Sequence, residues 1–140
     1  MTQSKWYHRH LKLAEHISRW SKDPRKKVGA VVTKDNYVVG VGYNGFPRGI
    51  ADTKARLADP IIKRQLIMHA ESNALTAAQG QGDCIYICPC LPCSTCMGLI
   101  IQHKIKQIVT YKKSLDRDTK WNPELVLSLA EEANITVIFI

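Results

Sequence analysis

His69-Ala70-Glu71, followed 21 residues after Glu71 by Pro92-Cys93-Ser94-Thr95-Cys96, constrains this chain more than any other feature. One imidazole and two thiols act together only if two separate segments converge on a point. The set suits zinc, which prefers tetrahedral nitrogen and sulfur coordination, and stopping at three protein ligands leaves the fourth position open to water. Pro92 directly before Cys93-x-x-Cys96 predicts both thiols in the first turn of a helix, where unpaired N–H groups and the positive dipole end favour thiolate. His69 is expected near the start of another helical turn. The two helices must then pack side by side on a common support.

Glu71 stands two residues from a ligand, so it can reach water at the open position without coordinating the metal, as a proton shuttle requires. A site of this kind brings the pKa of water from about 15.7 to around 7. Two electron-rich thiolates weaken zinc as a Lewis acid, which calls for a neighbouring base, and Glu71 is the candidate within the motif. The same residues also permit a closed structural zinc, with Cys88 or Cys90 as fourth ligand and Glu71 on a solvated helix face. A third reading treats the cysteines as small buried hydrophobes.

The 140 residues and 45% hydrophobic content predict a single domain spanning 1–140. Trp6, His10, Leu13, Ile17 and Trp20 line one face of a first helix. Val28 to Thr33 and Tyr37 to Val41 read as a hairpin around Lys34-Asp35-Asn36. Gly42 to Gly49 breaks the periodicity and reads as a glycine-rich loop. Asp59-Pro60 starts helical character that runs, with interruption, through Gln79. Cys84 to Cys88 reads as a strand, Pro92 to about His103 as a helix and Ile105 to Tyr111 as a strand. A helix over Pro123 to Ala133 and a strand over Ile135 to Ile140 close the pattern. The expected class is α/β, a single mixed sheet of about five strands covered by helices on both faces.

Five cysteines, all between Cys84 and Cys96, are odd in number and tightly clustered, which suits a reducing compartment better than a disulfide framework. No secretion signal or membrane span is read from the sequence, so a cytoplasmic location is expected. Twenty basic against twelve acidic side chains give a net charge of +8, a field that attracts anions such as nucleotides.

With these residues in place, the sequence resembles the zinc-dependent cytidine deaminase superfamily and, within it, the deoxycytidylate deaminase branch. The His-x-Glu and Pro-Cys-x-x-Cys signature is that of zinc nucleobase deaminases. The likeness runs from Ser21-Lys22-Asp23-Pro24 and Val28-Gly29-Ala30, through Gly42-Tyr43-Asn44-Gly45-Phe46-Pro47, to His69-Ala70-Glu71-Ser72-Asn73-Ala74 and Leu99-Ile100-Ile101-Gln102. It implies a cytidine deaminase-like fold and the hydrolysis of dCMP to dUMP and ammonia. It implies His69, Cys93 and Cys96 as ligands of one zinc, Glu71 as proton shuttle, and Asn44 with Ala70 at the substrate.

Lys22 and Arg25 are the favoured partners of the substrate phosphate, whereas Lys26 and Lys27 read equally well as solvated surface. The resemblance further implies a hexamer activated by dCTP and inhibited by dTTP, with magnesium accompanying the triphosphate. Effector contacts fall near Gly42, Tyr43, Gly45 and Arg48. Gly45 to Met68 holds no Cys or His, so no second zinc is expected. After Tyr111 the sequence departs from the family pattern, and Trp121 is the aromatic that would take the place at the base pocket. The alternatives are dCTP as substrate, alone or together with dCMP, deamination of adenosine in tRNA, and a zinc-stabilised binding module without activity. On the favoured reading neither nucleic acid nor membrane is a partner.

Overall fold

The computed structural model describes residues 2–112 and 122–140; Trp121 and the run from Lys113 to Arg117 lie outside the described residues. Helix α1 (Gln3–Ser18) precedes a hairpin of β1 (Gly29–Lys34) and β2 (Tyr37–Tyr43). Asp35 and Asn36 both have positive φ, 49° and 68°, the geometry that lets a two-residue turn follow the twist of its strands. Short helices α2 (Lys54–Ala58) and α3 (Pro60–Leu66) lead to α4 (Ala70–Ala78). Then come β3 (Cys84–Cys88), α5 (Ser94–Gln102), β4 (Gln107–Thr110), α6 (Pro123–Glu132) and β5 (Thr136–Phe139).

The strands form one sheet in the order β2-β1-β3-β4-β5. β1 is antiparallel to both neighbours, and β3, β4 and β5 run parallel, joined by crossovers through α5 and α6. Alternation along β3 serves two cores. Tyr86, with Cys84 and Cys88, packs beneath α1 beside Leu11, Ala14 and Val31, while Ile85 and Ile87 face Ala74, Ile100 and Val126 on the opposite side. The expected mixed five-stranded sheet, covered on both faces, is what the chain forms.

Glycine fixes how closely α4 lies on the sheet. A Cβ on Gly42 would sit 2.4 Å from the Ala74 nitrogen and 2.5 Å from the Ala70 oxygen, and one on Gly40 would sit 2.5 Å from the Ala74 oxygen. Ala70, Ala74 and Ala78 supply the small helical face opposite them. Backbone thus rests on backbone, and the start of α4 is held at the end of β2.

Several boundaries differ from the sequence expectation. The buried face of α1 is His10, Leu11, Ala14, Ile17 and Ser18 rather than a stripe ending at Trp20. The helix stops at Ser18, so the Trp20 ring lies 52% exposed, edge-on to His16 and Tyr43. The strand β2 continues through Gly42 and Tyr43, so the loop starts at Asn44. Helical character after Asp59 breaks at 67–69, where Met68 and Gly45 exchange backbone hydrogen bonds of 2.7 and 3.1 Å. Asp59 caps α3 as expected, accepting from the Ile61 and Ile62 N–H groups. The short helix α2 was not foreseen.

Candidate metal centre

Two helix N-termini meet beside the end of β3. His69 is the residue immediately before α4, and Glu71 lies in that helix's first turn. Cys93 holds the same position before α5, its Sγ accepting from the Cys96 N–H at 3.5 Å. His69 Nδ1 lies 3.6 Å from Cys93 Sγ and 3.3 Å from Cys96 Sγ. The three ligand atoms all fall within 4.8 Å of one another. Zinc bonds of about 2.0 Å to nitrogen and 2.3 Å to sulfur imply a tetrahedral N–S edge of about 3.5 Å. Zinc therefore fits this donor set in both chemistry and spacing. Among the described residues, no further His, Cys, Asp or Glu joins the group. Cys84 and Cys88 are buried elsewhere, and Cys90 is half-buried.

The protonation pattern follows from crowding. A hydrogen bond from Cys96 is the main influence pushing the Cys93 thiol down to about 4; burial opposes it, while His69 and the Cys96 N–H assist. Cys96 is driven upward by the same pairing and by burial. His69 is raised, first by its hydrogen bond to Cys93. Glu71 is only 4% exposed, and burial is the main cause of its raised pKa; its own N–H and His69 work the other way. After the Cys93 pairing and burial, the Glu71 charge also pushes Cys96 upward. A buried carboxyl with a raised pKa beside a three-donor cluster marks a candidate functional site.

The surrounding turns carry the other candidates. The Asn44 amide accepts from the Val28 N–H at 2.9 Å and donates to the Lys26 carbonyl at 2.8 Å, fastening the 26–28 segment to the end of β2. Each end of that amide keeps a second valence for another partner. Ala70 is fully buried as the first residue of α4. Lys22 is exposed and pairs with Asp52 at 3.1 Å. Arg25 is exposed, with its backbone N–H held by Asp23. Lys26 is half-buried, and its charge is the last among the influences on both His69 and Glu71. Gly42 is buried under α4, Tyr43 is 41% exposed, Gly45 pairs with Met68, and Arg48 is exposed. Asp23 and Lys63, a pair the sequence reading passed over, meet at 3.1 Å with side-chain exposures of 4% and 18%. No residue spacing announces that contact, which spans 40 positions.

A mixed sheet that delivers two helix starts to a three-donor centre, with a buried carboxyl alongside, fits a metal-assisted hydrolytic class. Known proteins narrow the class. Residues 4–112 match the family model for the cytidine and deoxycytidylate deaminase zinc-binding region. A deaminase of Aliivibrio fischeri is 37% identical over 127 residues, covering 89% of this chain and 85% of that protein. The deoxycytidylate deaminase of Homo sapiens is 35% identical over 120 residues, covering 79% of this chain and 67% of that one. The apo crystal structure of dCMP deaminase from cyanophage S-TIM5 superposes with a TM-score of 0.75 at 23% identity, over 100% of both chains. The chain belongs to the zinc-dependent cytidine and deoxycytidylate deaminase family, an enzyme family.

Proposed function

We propose that this enzyme hydrolyses dCMP to dUMP and ammonia, with His69, Cys93 and Cys96 holding one zinc ion and Glu71 carrying protons. The observation that carries this reading is the three-donor group with a buried carboxyl beside it and, among the described residues, no fourth donor. A closed structural site would need that fourth donor. Relatives named for deoxycytidylate deamination support the substrate, and the S-TIM5 enzyme is known in complex with dCMP and dUMP.

Zinc at this site supplies a positive charge that makes water acidic enough to act near neutral pH. Glu71 takes a proton from water and gives it to N3 of the cytosine ring as the oxygen adds to C4. It then carries the second proton to the exocyclic amine, which departs as ammonia and leaves a carbonyl. Burial keeps Glu71 from being levelled by solvent, which suits a group that must accept and donate in one cycle. Asn44 and the backbone at Ala70 contribute to holding the nucleotide, Asn44 through the valences its loop contacts leave over. Lys22 and Arg25 meet the phosphate, joined by Lys26, whose charge already bears on the centre.

The same proposal extends to regulation: dCTP with magnesium activates and dTTP inhibits a cytoplasmic hexamer, through the segment comprising Gly42, Tyr43, Gly45 and Arg48. Ammonia release from dCMP, dCTP, deoxycytidine and adenosine, each with and without dCTP or dTTP plus magnesium, tests the whole reading. Turnover of dCMP above the others is expected. Zinc-loaded protein that released no ammonia from dCMP under any of these conditions would overturn the assignment.

A further inference from the structure

Asp23 Oδ1 accepts three hydrogen bonds at once: from the Arg25 N–H at 2.9 Å, the Lys26 N–H at 3.2 Å and the Lys63 ammonium at 3.1 Å. The first two donors belong to the turn that presents Arg25 and Lys26. The third belongs to α3, on the far side of the Gly45–Met68 bridge. Burial works against the Asp23 charge, yet these donors outweigh it and hold the carboxyl below its ordinary range. Ser21 adds to the same knot, its hydroxyl accepting from the Asp23 N–H at 3.2 Å and donating to the Asn44 carbonyl at 2.8 Å.

What α3 otherwise lacks makes the contact informative. From 46 to 68 no residue is buried, and neither α2 nor α3 buries a side chain. This flap has no core of its own, only the half-buried Phe46, Leu57, Leu66 and Ile67, so polar contacts carry much of its positioning. It is tied to the 21–23 segment by Lys63–Asp23 and by the more exposed Lys22–Asp52 pair. The inner pair is the one largely shielded from water, where an ion pair keeps its strength and a missing partner leaves a buried charge. The flap also ends at Met68, next to the donor His69.

We infer that Asp23 and Lys63 are positioning residues: one carboxylate oxygen links the docking of the flap to the geometry of the Arg25–Lys26 turn, and through that turn to the grip on the substrate phosphate. The inference rests on the dCMP reading above. Removing the Lys63 ammonium takes away one of three donors, and the turn loses the carboxylate position that orders its N–H groups. Affinity for the phosphate end then falls, while the groups at the base are untouched.

The test compares wild type with K63M and K63R. For K63M we expect the KM for dCMP to rise about tenfold with kcat within about twofold, because the lost interaction serves binding of the phosphate end. Deoxycytidine, which has no phosphate, should inhibit dCMP turnover with an unchanged inhibition constant. K63R, which keeps the charge, should restore the KM. Hydrogen exchange of K63M should quicken at the Arg25 and Lys26 amides together with those of 54–66. A loss of kcat and of deoxycytidine affinity in step with the KM would mark general damage and overturn the inference. So would faster exchange confined to the flap. A wild-type enzyme silent on dCMP would instead sink the substrate reading, and the exchange pattern would still decide whether flap and turn are linked.

Discussion

Gly42 governs the metal centre through the side chain it does not have. An added Cβ would meet α4 backbone at 2.4 and 2.5 Å, atoms that cannot swing aside as a flexible side chain would. We expect Gly42→Ala to cost about 1–3 kcal/mol in urea unfolding, the range for overpacking a tight interface. Because the start of α4 carries His69 and Glu71, zinc affinity should weaken in the same variant. Glu71→Gln should act differently, lowering the rate of ammonia release by at least 10²-fold, the usual scale of general acid–base catalysis, while zinc content and melting temperature hold. His10 offers a pH readout away from the centre. Burial chiefly, helped by Arg9, holds its pKa below 6.5 against the pull of its hydrogen bond to the Asn36 carbonyl. The unfolded chain therefore binds this proton more readily than the folded one. Stability from this site is complete above about pH 6.5 and declines as pH falls below it. Urea midpoints at pH 7.5 and 5.5 should converge more closely in His10→Gln than in the wild type.

At the level of elements, helix starts do most of the functional work. The Pro92-Cys93-x-x-Cys96 run was legible because proline and cysteine at those offsets admit few backbone arrangements; Cys96 lies in the first turn of α5 as expected, whereas the helix starts at Ser94, so Pro92 and Cys93 stand just before it rather than within it. The hairpin was legible for a similar reason, since Asp-Asn between β-branched runs fits a two-residue turn. What escaped the sequence depends on tertiary contact. The break before α4 comes from the Gly45–Met68 bridge, and the Lys26 field comes from a turn fastened by Asp23 and Asn44. Of the expected α1 face, His10 and Ile17 are buried, but Leu11, Ala14 and Ser18 were missed because the helix turns that side onto Val31 and Tyr86, contacts across the fold that periodicity does not encode. The exposed helix α3 supports a prediction of its own. Asp59→Ala removes the acceptor for the Ile61 and Ile62 N–H groups, which should speed amide exchange within 60–66 and leave the global urea midpoint nearly unchanged, because that helix buries nothing.

For the whole molecule, metal and charge set the conditions of use. A ligand bound only by the folded state adds stability by mass action, so stripping zinc with a chelator should lower the melting temperature, and restoring zinc should recover it. The net charge of +8 should draw an anionic substrate inward, so the KM for dCMP is expected to rise with added sodium chloride more than that for uncharged deoxycytidine. Among the described residues, no helix is long and apolar enough to cross a membrane.

Lys63 apart, whose ammonium pairs with the buried Asp23, the flap gives the chain a region in which change is cheap. Residues 46–68 leave Ile50, Ile61 and Ile62 in solvent at 45%, 67% and 36% exposure, and none of the segment supports the two cores. Substitutions there escape most of the folding cost that polices the sheet. A lineage could therefore retune what this surface greets, whether another subunit or a bulkier nucleotide, while the hydrolytic chemistry beneath it is inherited intact.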